Sequence, residues 1–380
     1  MNTVPASIPV LRWAAERAHL SDTALERSFR KWDLWLSGDA LPTLKQLEDF
    51  ARLTHTPIGY FFLPEPPALQ LPIPDFRTRR DEALAEPSTA LLDTLYLCQQ
   101  RQDWYREYAR IHGFARLEFV SSASEDDQPE HVADSMRQVL GLSVADRRRL
   151  STWTDALRQL ISRAEDAGIL VMASSIVGSN SHRKLDAAEF RGFALVDDRA
   201  PLIFINASDS KAAQMFTIAH ELAHIWSGES GVSDPEAGSV PKQGLERWCN
   251  RVAAELLMPM DALNETYDID APVADEIQRL AHLFKVSSLV ALRRLFDAGF
   301  IDQDTLWLNY RQEVERIRAL DRGTGGGDFY RTLGARTGKR FARAVFSSTL
   351  EGQTLFRDAF RMLGMRRTST FYEAARVEGF

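Results

Sequence analysis

The sequence predicts an α+β protein that is mainly helical and contains more than one domain. Its 380 residues exceed what one ordinary globular core holds, which predicts two or three domains. Apolar residues recur at helical spacing over most of the chain. Three short apolar runs, Ile169–Met172, Phe193–Val196 and Leu202–Ile205, are joined by turn residues. Because runs of this length rich in branched residues favour strands, they predict a small antiparallel sheet in the middle of the chain.

Composition excludes several protein classes. Hydrophobic residues make up 44% and charged residues 26%, so neither wholesale disorder nor a fibrous repeat is indicated. The net charge of −7 gives no general attraction to nucleic acid. Cys98 and Cys249 are too few for a disulfide framework, and we expect buried free thiols in a reducing compartment. No long apolar run or basic leader is evident, so we expect a cytoplasmic protein without a membrane partner.

The N-terminal region, residues 1–77, predicts a compact module of short helices. Ser21 and Thr43 are each placed to cap the helix that follows them, and a further helix is predicted between them near Lys31–Leu36. The proline-dense stretch Leu63–Pro74 cannot continue a helix and predicts an extended connector. It marks the first domain boundary.

The motif with the clearest chemistry is His220-Glu221-Leu222-Ala223-His224, within an apolar helical stretch. Residues four apart lie on one face of a helix, so both imidazoles can bind one Zn²⁺ while Glu221 lies beside the attacking water. Zinc lowers the pKa of water toward neutrality, and a glutamate can then act as general base. The pattern also occurs by chance in roughly one in a hundred chains of this length. The preceding strand and the second helix that follows favour the functional interpretation.

A catalytic zinc site requires a third protein ligand, and the predicted helix Gln243–Leu257 offers two. Glu246 is followed one turn later by Asn250, which can hydrogen-bond a histidine ligand. Glu255 lies in a largely apolar string, where a buried carboxylate needs its own partner. We therefore expect His220, His224 and Glu246 as metal ligands and Glu221 as the catalytic base, with Glu255 as the alternative third ligand.

The strings Phe216–His224 and Glu246–Pro259 resemble the ImmA/IrrE family of metallopeptidases. The resemblance implies that His220, His224 and Glu246 bind Zn²⁺ and that Glu221 is the general base. Cys249 and Val252 differ from the residues that are common at these positions in the family, and we interpret both differences as variations in packing. The resulting domains are a zinc metallopeptidase core at residues 166–265, a helical connector at 78–165 and a helical C-terminal region at 266–380, interrupted by the glycines of 323–327.

The segment Leu11–Arg77, including Trp35–Gly38, Pro42–Leu44 and Gly59–Pro67, is similar to the Xre-type helix-turn-helix region fused to many of these peptidases. In such modules the helix after the turn enters the major groove of DNA. The candidate helix Arg30–Leu36 carries two basic residues but is otherwise mostly apolar or acidic. This favours a structural or protein-docking role over reading of bases, and DNA stays a candidate partner.

Two functions compete. The first is a regulatory endopeptidase whose substrate is a protein, by the family resemblance often a helix-turn-helix repressor, in a response to stress or to mobile elements. The second is a DNA-binding transcriptional regulator, or an antitoxin-like partner of a toxin or regulator encoded nearby, with a regulatory or structural zinc fold. An intact Glu221 favours the enzyme. Leu202–Ile205 is a candidate edge strand for pairing with substrate backbone, and Tyr310 and Tyr330 are candidates for stabilising the transition state.

Overall fold

The computed structural model describes residues 3–18, 20–69, 71–76, 86–233, 244–320 and 334–380. The chain forms two compact units. The first comprises Met1–Pro72 and Glu82–Thr94, and the second comprises Ile73–Asp81 and Leu95–Phe380. The predictions for the glycines of residues 323–327 and for Tyr330 lie outside the described residues.

In its described residues up to Pro72, the first unit contains four short α-helices and one 3₁₀ helix. They are α1 (Ile8–Arg17), α2 (Asp22–Ser28), α3 (Trp32–Ser37), α4 (Leu44–Thr54) and the 3₁₀ helix Ile58–Phe62. Ser21 caps α2 by accepting from the Ala24 amide, and Thr43 forms a reciprocal capping box with Gln46 at the start of α4. Trp32 and Trp35 of α3 are buried in an aromatic core, so most of the apolar surface of this helix packs inward.

Helices also dominate the rest of the chain, and several of them begin at a capping serine or threonine or end at a glycine. They are α5 (Thr89–Ile111), α6 (Pro129–Leu140), α7 (Val144–Arg148), α8 (Trp153–Asp166), α9 (Lys211–Ser227), α10 (Gly244–Leu257), α11 (Met260–Thr266), α12 (Val273–Phe284), α13 (Ser288–Asp297), α14 (Gln303–Leu320), α15 (Lys339–Leu350), α16 (Phe356–Leu363) and α17 (Thr368–Val377). The α+β class with a mainly helical fold is confirmed.

The second unit holds a four-stranded sheet with the order β1-β5-β4-β6, and a separate two-stranded ribbon of β2 and β3. The strands are β1 (Leu170–Ser174), β2 (Ile176–Val177), β3 (Asn180–Lys184), β4 (Gly192–Leu195), β5 (Leu202–Asn206) and β6 (Gly231–Ser233). The four-stranded sheet is mixed, because β1 runs parallel to β5 while β4 pairs antiparallel with both β5 and β6.

The position of β5 corrects one expectation. Leu202–Ile205 is not an edge strand, because β1 and β4 pair with its two sides and all of its side chains are buried. It cannot offer its backbone to a substrate. The strand that ends the sheet on the side of β4 is β6.

Helix α9 lies at the centre of the second unit. It packs against β4 and β5 on one side and against α8 and α10 on others. Every residue from Gln214 to Trp226 is buried, so the helix is enclosed rather than amphipathic. The two histidines of this helix are therefore held inside the protein. Both cysteines are buried free thiols, and none of the helices that the structure describes has the length and apolar character needed to cross a bilayer.

Candidate metal centre

The first part of the centre is built by α9. Ser210 caps the helix by accepting from the Ala213 amide, and Gly228 ends it in the left-handed conformation at φ 83°. His220 and His224, one helical turn apart, are both fully buried. Their Nε2 atoms lie 3.1 Å from each other, so both rings present the same nitrogen to one point.

The second part comes from α10, which packs directly against α9. Glu246 places Oε1 3.0 Å from Nε2 of His224 and Oε2 3.3 Å from Nε2 of His220. Asn250 lies one turn further along the same face of α10, with its Oδ1 2.9 Å from Nδ1 of His220. Nδ1 of His220 therefore donates this hydrogen bond, which leaves Nε2 free to bind a metal.

The three side chains fit a zinc ion in geometry. All of their ligand atoms lie within 4.8 Å of one another. Tetrahedral ligands at about 2.1 Å from zinc are separated from each other by about 3.4 Å. The observed separations of 3.0 to 3.3 Å are close to that value.

The charge states of the ligands also fit. Burial alone would raise the pKa of Glu246, but His220 and His224 outweigh it and lower this pKa to about 2. Burial lowers the pKa of His224, so its ring is neutral near pH 7. A carboxylate and neutral imidazoles are the forms that bind a divalent cation.

Glu221 lies beside this cluster, near the hydroxyl of Ser233 but without a well-formed hydrogen bond among the described residues. It is fully buried, and neither carboxylate oxygen makes a hydrogen bond within the part of the chain that the structure describes. Burial, followed by the charge of Glu246, raises the pKa of Glu221 well above its ordinary value, and the nearby Ser233 hydroxyl opposes the shift. A cation at the neighbouring ligands would lower it again. Burying a carboxylate without a hydrogen bond is costly, and a role in chemistry beside three candidate metal ligands would explain why Glu221 is there.

Comparisons with known proteins relate the region around this centre to a peptidase family. Residues 164–296 match the peptidase M78 family, described as the IrrE N-terminal-like domain. The matched range contains β1 to β6, α9 and α10, and therefore His220, Glu221, His224, Glu246 and Asn250. Residues 164–296 thus carry a domain of the ImmA/IrrE family.

One curated relative is the radiation response metalloprotease IrrE of Deinococcus radiodurans. The two chains are 33% identical over 104 residues, which is 26% of this chain and 32% of the relative. The alignment thus spans about a third of the relative's length. Residues 337–377 match a second family, a domain of unknown function called DUF8813, which covers α15, α16 and α17.

Glu255, the alternative third ligand, lies outside the cluster in this ImmA/IrrE-type domain. Its carboxylate forms a buried ion pair with Arg294 and accepts from the Met260 amide at 3.2 Å. Arg294 also donates to the carbonyl of Met258 at 2.9 Å. Glu255 therefore joins the end of α10 to α13.

The structure brings three further residues to the centre that the sequence did not indicate. Gly192 of β4 faces Glu221, and a Cβ added there would lie 3.0 Å from Oε1. The hydroxyl of Ser233 lies 3.4 Å from Nε2 of His224. The ring of Phe76 stacks on His224 with 5.6 Å between centroids and 7° between planes. Each comes from a short strand or connector without a chemical motif, so only the tertiary pairing reveals it.

Proposed function

We propose that this protein is a zinc-dependent regulatory endopeptidase that hydrolyses a peptide bond in a protein substrate. One observation carries the proposal. Two imidazole nitrogens and a carboxylate converge within 4.8 Å of one another, beside the buried and unpaired carboxylate of Glu221. Three protein ligands leave one position for water or substrate, as in catalytic rather than structural zinc sites.

Each residue has a distinct task in this proposal. His220, His224 and Glu246 hold the zinc ion, and Asn250 fixes the ring of His220 through the 2.9 Å hydrogen bond at Nδ1. Bound zinc would polarise the scissile carbonyl and lower the pKa of the attacking water. Glu221 accepts the proton of that water on a carboxylate oxygen and then delivers it to the nitrogen of the leaving amine. Burial keeps both proton transfers away from bulk solvent.

The substrate class follows from the family resemblance and the regulatory context of its members. We propose a helix-turn-helix repressor as substrate, or a toxin or regulator encoded beside the gene. The similarity to a radiation response metalloprotease supports a role in a stress response. The cytoplasm is the compartment in which such substrates occur.

Glu221→Gln tests the enzymatic function. The amide keeps the shape of the side chain but cannot accept the proton, so zinc content should stay near one ion per chain while cleavage is lost. The zinc-loaded protein is incubated with the helix-turn-helix proteins encoded beside its gene, and fragments are identified by mass spectrometry. Glu265→Gln, the same change at an exposed position of α11, is the matched control and should cleave normally. Cleavage by Glu221→Gln at the rate of the unmodified protein would refute the general-base role.

The competing DNA-binding function makes the opposite prediction. Trp32 and Trp35 are buried, which leaves Arg30 and Lys31 as the basic residues exposed near the start of α3. If the chain acts chiefly as a transcriptional regulator, it should shift operator DNA without producing fragments. Arg30→Ala together with Lys31→Ala should then abolish the shift, whereas Glu221→Gln should not change it.

A further inference from the structure

The edge of the sheet beside the metal centre is covered by a segment of the same chain. β6 pairs with β4 on one side, and Ser233 of β6 contacts His224. On the other side of β6, the Val232 amide donates to the carbonyl of Pro74 at 3.0 Å, and the Phe76 amide donates to the carbonyl of Val232 at 2.9 Å. Both outward backbone groups of Val232 are thus bonded to the segment Pro74–Phe76.

The side chain of Phe76 extends this cover onto a metal ligand. Its ring lies parallel to His224, with centroids 5.6 Å apart. The ring also lies against the bare backbone of Gly231, where an added Cβ would be 2.2 Å from Cε2 of Phe76. The three nearest atoms to that Cβ all belong to Phe76. A glycine at 231 is therefore required for the ring to lie where it does.

The segment Pro74–Phe76 occupies a sheet edge at which an extended peptide could bind. Proteins commonly bind an extended peptide by adding it as a strand to an exposed sheet edge, with backbone hydrogen bonds for affinity and side-chain pockets for specificity. β5 is enclosed by β1 and β4, so β6 is the strand at the end of the sheet near His224. At this edge Pro74–Phe76 makes both backbone hydrogen bonds, to Val232, and a side-chain contact, from Phe76 to His224.

We propose that Pro74–Phe76 is an autoinhibitory occupant of the substrate site, which must leave the β6 edge before a peptide can bind. The inference rests on the proposed peptidase function. A tethered segment acts at an effective concentration on the order of millimolar, so even weak contacts keep the edge occupied. The apparent affinity for a peptide supplied in solution equals the affinity of the open edge multiplied by the fraction of molecules whose edge is open. The proline-containing segment is thus both a connector and an inhibitor.

Peptide binding to the zinc-loaded full chain tests this. The probe is a fluorescein-labelled hexapeptide with the sequence of residues 71–76, Leu-Pro-Ile-Pro-Asp-Phe, measured by anisotropy in a Glu221→Gln background so that hydrolysis plays no part. Phe76→Ala should bind the probe at least about tenfold more tightly than the background protein. Leu71→Ala, which precedes the paired segment, is the matched control and should bind as weakly as the background. Equal affinity for Phe76→Ala and the background, or no binding to any variant, overturns the proposal.

Hydrogen exchange supplies a readout that does not depend on the probe. Loss of the segment from the edge exposes the Val232 amide, so its exchange should accelerate about tenfold or more in Phe76→Ala. Unchanged exchange overturns the proposal. Zinc content is measured in parallel and should stay near one ion per chain.

Gly231→Ala tests the same contact between β6 and the Phe76 ring by changing the residue on β6. Its methyl group would collide with the ring, so it should open the edge in both measurements as Phe76→Ala does. The double variant should resemble Phe76→Ala alone, because the collision no longer exists. If the Val232 amide of Gly231→Ala exchanges as slowly as in the parent and the variant binds the hexapeptide as weakly, the inference is contradicted. None of these measurements needs turnover. If the edge opens in Phe76→Ala but the same variant with Glu221 intact cleaves no substrate, the peptidase function is refuted while the autoinhibitory position of Pro74–Phe76 is supported.

Discussion

Glu246 and Glu255 stand on the same helix and have different surroundings because of helical geometry. Nine residues correspond to two and a half turns, which places the two side chains on opposite faces of α10. Glu246 faces the histidines of α9, and Glu255 faces Arg294 of α13. Asn250, four residues after Glu246, shares its face and reaches His220. The position of each glutamate on the helix therefore decides whether it joins the candidate metal cluster or an ion pair.

Alanine variants of the two glutamates should separate these roles. Glu246→Ala opens the proposed ligand set and should weaken zinc binding severely. Glu255→Ala leaves the buried guanidinium of Arg294 without its carboxylate, so it should destabilise the fold by about 3 to 5 kcal/mol and leave zinc affinity near normal. Chelator competition gives the affinity and urea unfolding gives the stability. Near-normal zinc binding by Glu246→Ala together with weak binding by Glu255→Ala would transfer the ligand role to Glu255.

Asn250→Ala tests the support of His220. Without the acceptor at 2.9 Å, the ring loses the contact that holds Nδ1 protonated and Nε2 toward the metal. Zinc affinity should fall by about 10- to 100-fold with the fold intact. Asn264→Ala, at an exposed position of α11, is the control. An Asn250→Ala protein with the zinc affinity of its parent would show that α9 orients His220 without help.

At the scale of elements, the close approach of β4 to α9 depends on a glycine. A Cβ at position 192 would lie 2.7 Å from Cγ2 of Thr217, 2.9 Å from the backbone oxygen of Phe204 and 3.0 Å from Oε1 of Glu221. Phe204 belongs to β5, which pairs with β4, so its carbonyl cannot retreat without disturbing the sheet. The glycine thus permits strand pairing and positions Glu221 at the same time.

Gly192→Ala should therefore reduce stability and cleavage together. We expect a loss of about 1 to 3 kcal/mol in the free energy of unfolding, the usual cost of overpacking a close interior contact. Cleavage should fall because the methyl group displaces the Glu221 carboxylate, whereas zinc should be retained. Gly59→Ala is the matched control, because an added Cβ there meets nothing within 4 Å. Denaturant unfolding and fragment analysis on both variants decide it, and normal values for Gly192→Ala would contradict the packing argument.

The junction of α8 with α15 gives a pH prediction. Oε1 of Glu165 accepts from the Arg340 amide at 3.1 Å, yet burial outweighs this and raises the pKa of Glu165 from 4.5 to about 7. The folded state therefore binds a proton between these values that the unfolded state has released. Stability contributed by this group is present below pH 4.5 and is lost as the pH rises through 7.

Glu165→Gln should remove that pH dependence. In the parent protein the shift corresponds to at most about 3 kcal/mol of stability lost between pH 4.5 and 7. The variant lacks the titrating group, so the difference between the two proteins should grow over this window in favour of the glutamine. Urea unfolding at several pH values measures it. A constant difference from pH 4.5 to 8 would show that Glu165 titrates normally.

At the scale of the whole molecule, local patterns predicted the parts of the centre that lie within single helices. The four-residue spacing of His220 and His224, and of Glu246 and Asn250, is visible in the sequence because a helix repeats at 3.6 residues. Caps such as Ser21, Thr43 and Thr152 were predictable for the same local reason. The clustering of His220, His224 and Glu246 could therefore be predicted from the sequence.

Pairings between distant segments could not be predicted from the sequence. The apolar run of β1 is equally compatible with a parallel or an antiparallel partner, so its alignment with β5 could not be deduced. Phe76 reaches His224 only because Pro74–Phe76 pairs with β6, and three residues in a proline-rich connector carry no strand signal. Gly192 gave no sign either, since an isolated glycine before an apolar run most often marks a turn.

Zinc should stabilise the two units of the chain unequally. All three proposed ligands lie in the unit comprising Ile73–Asp81 and Leu95–Phe380, and none lies in Met1–Pro72 or Glu82–Thr94. An ion that binds only the folded form adds about 4 kcal/mol when its free concentration is a thousand times Kd. Calorimetry of the full chain should therefore show one transition moving to higher temperature with zinc and another staying in place. The transitions are assigned by hydrogen exchange in α4 and α9. His224→Ala, which lacks a ligand, should lose most of the shift, and an equal zinc-dependent shift in α4 and α9 would show that the two units unfold together.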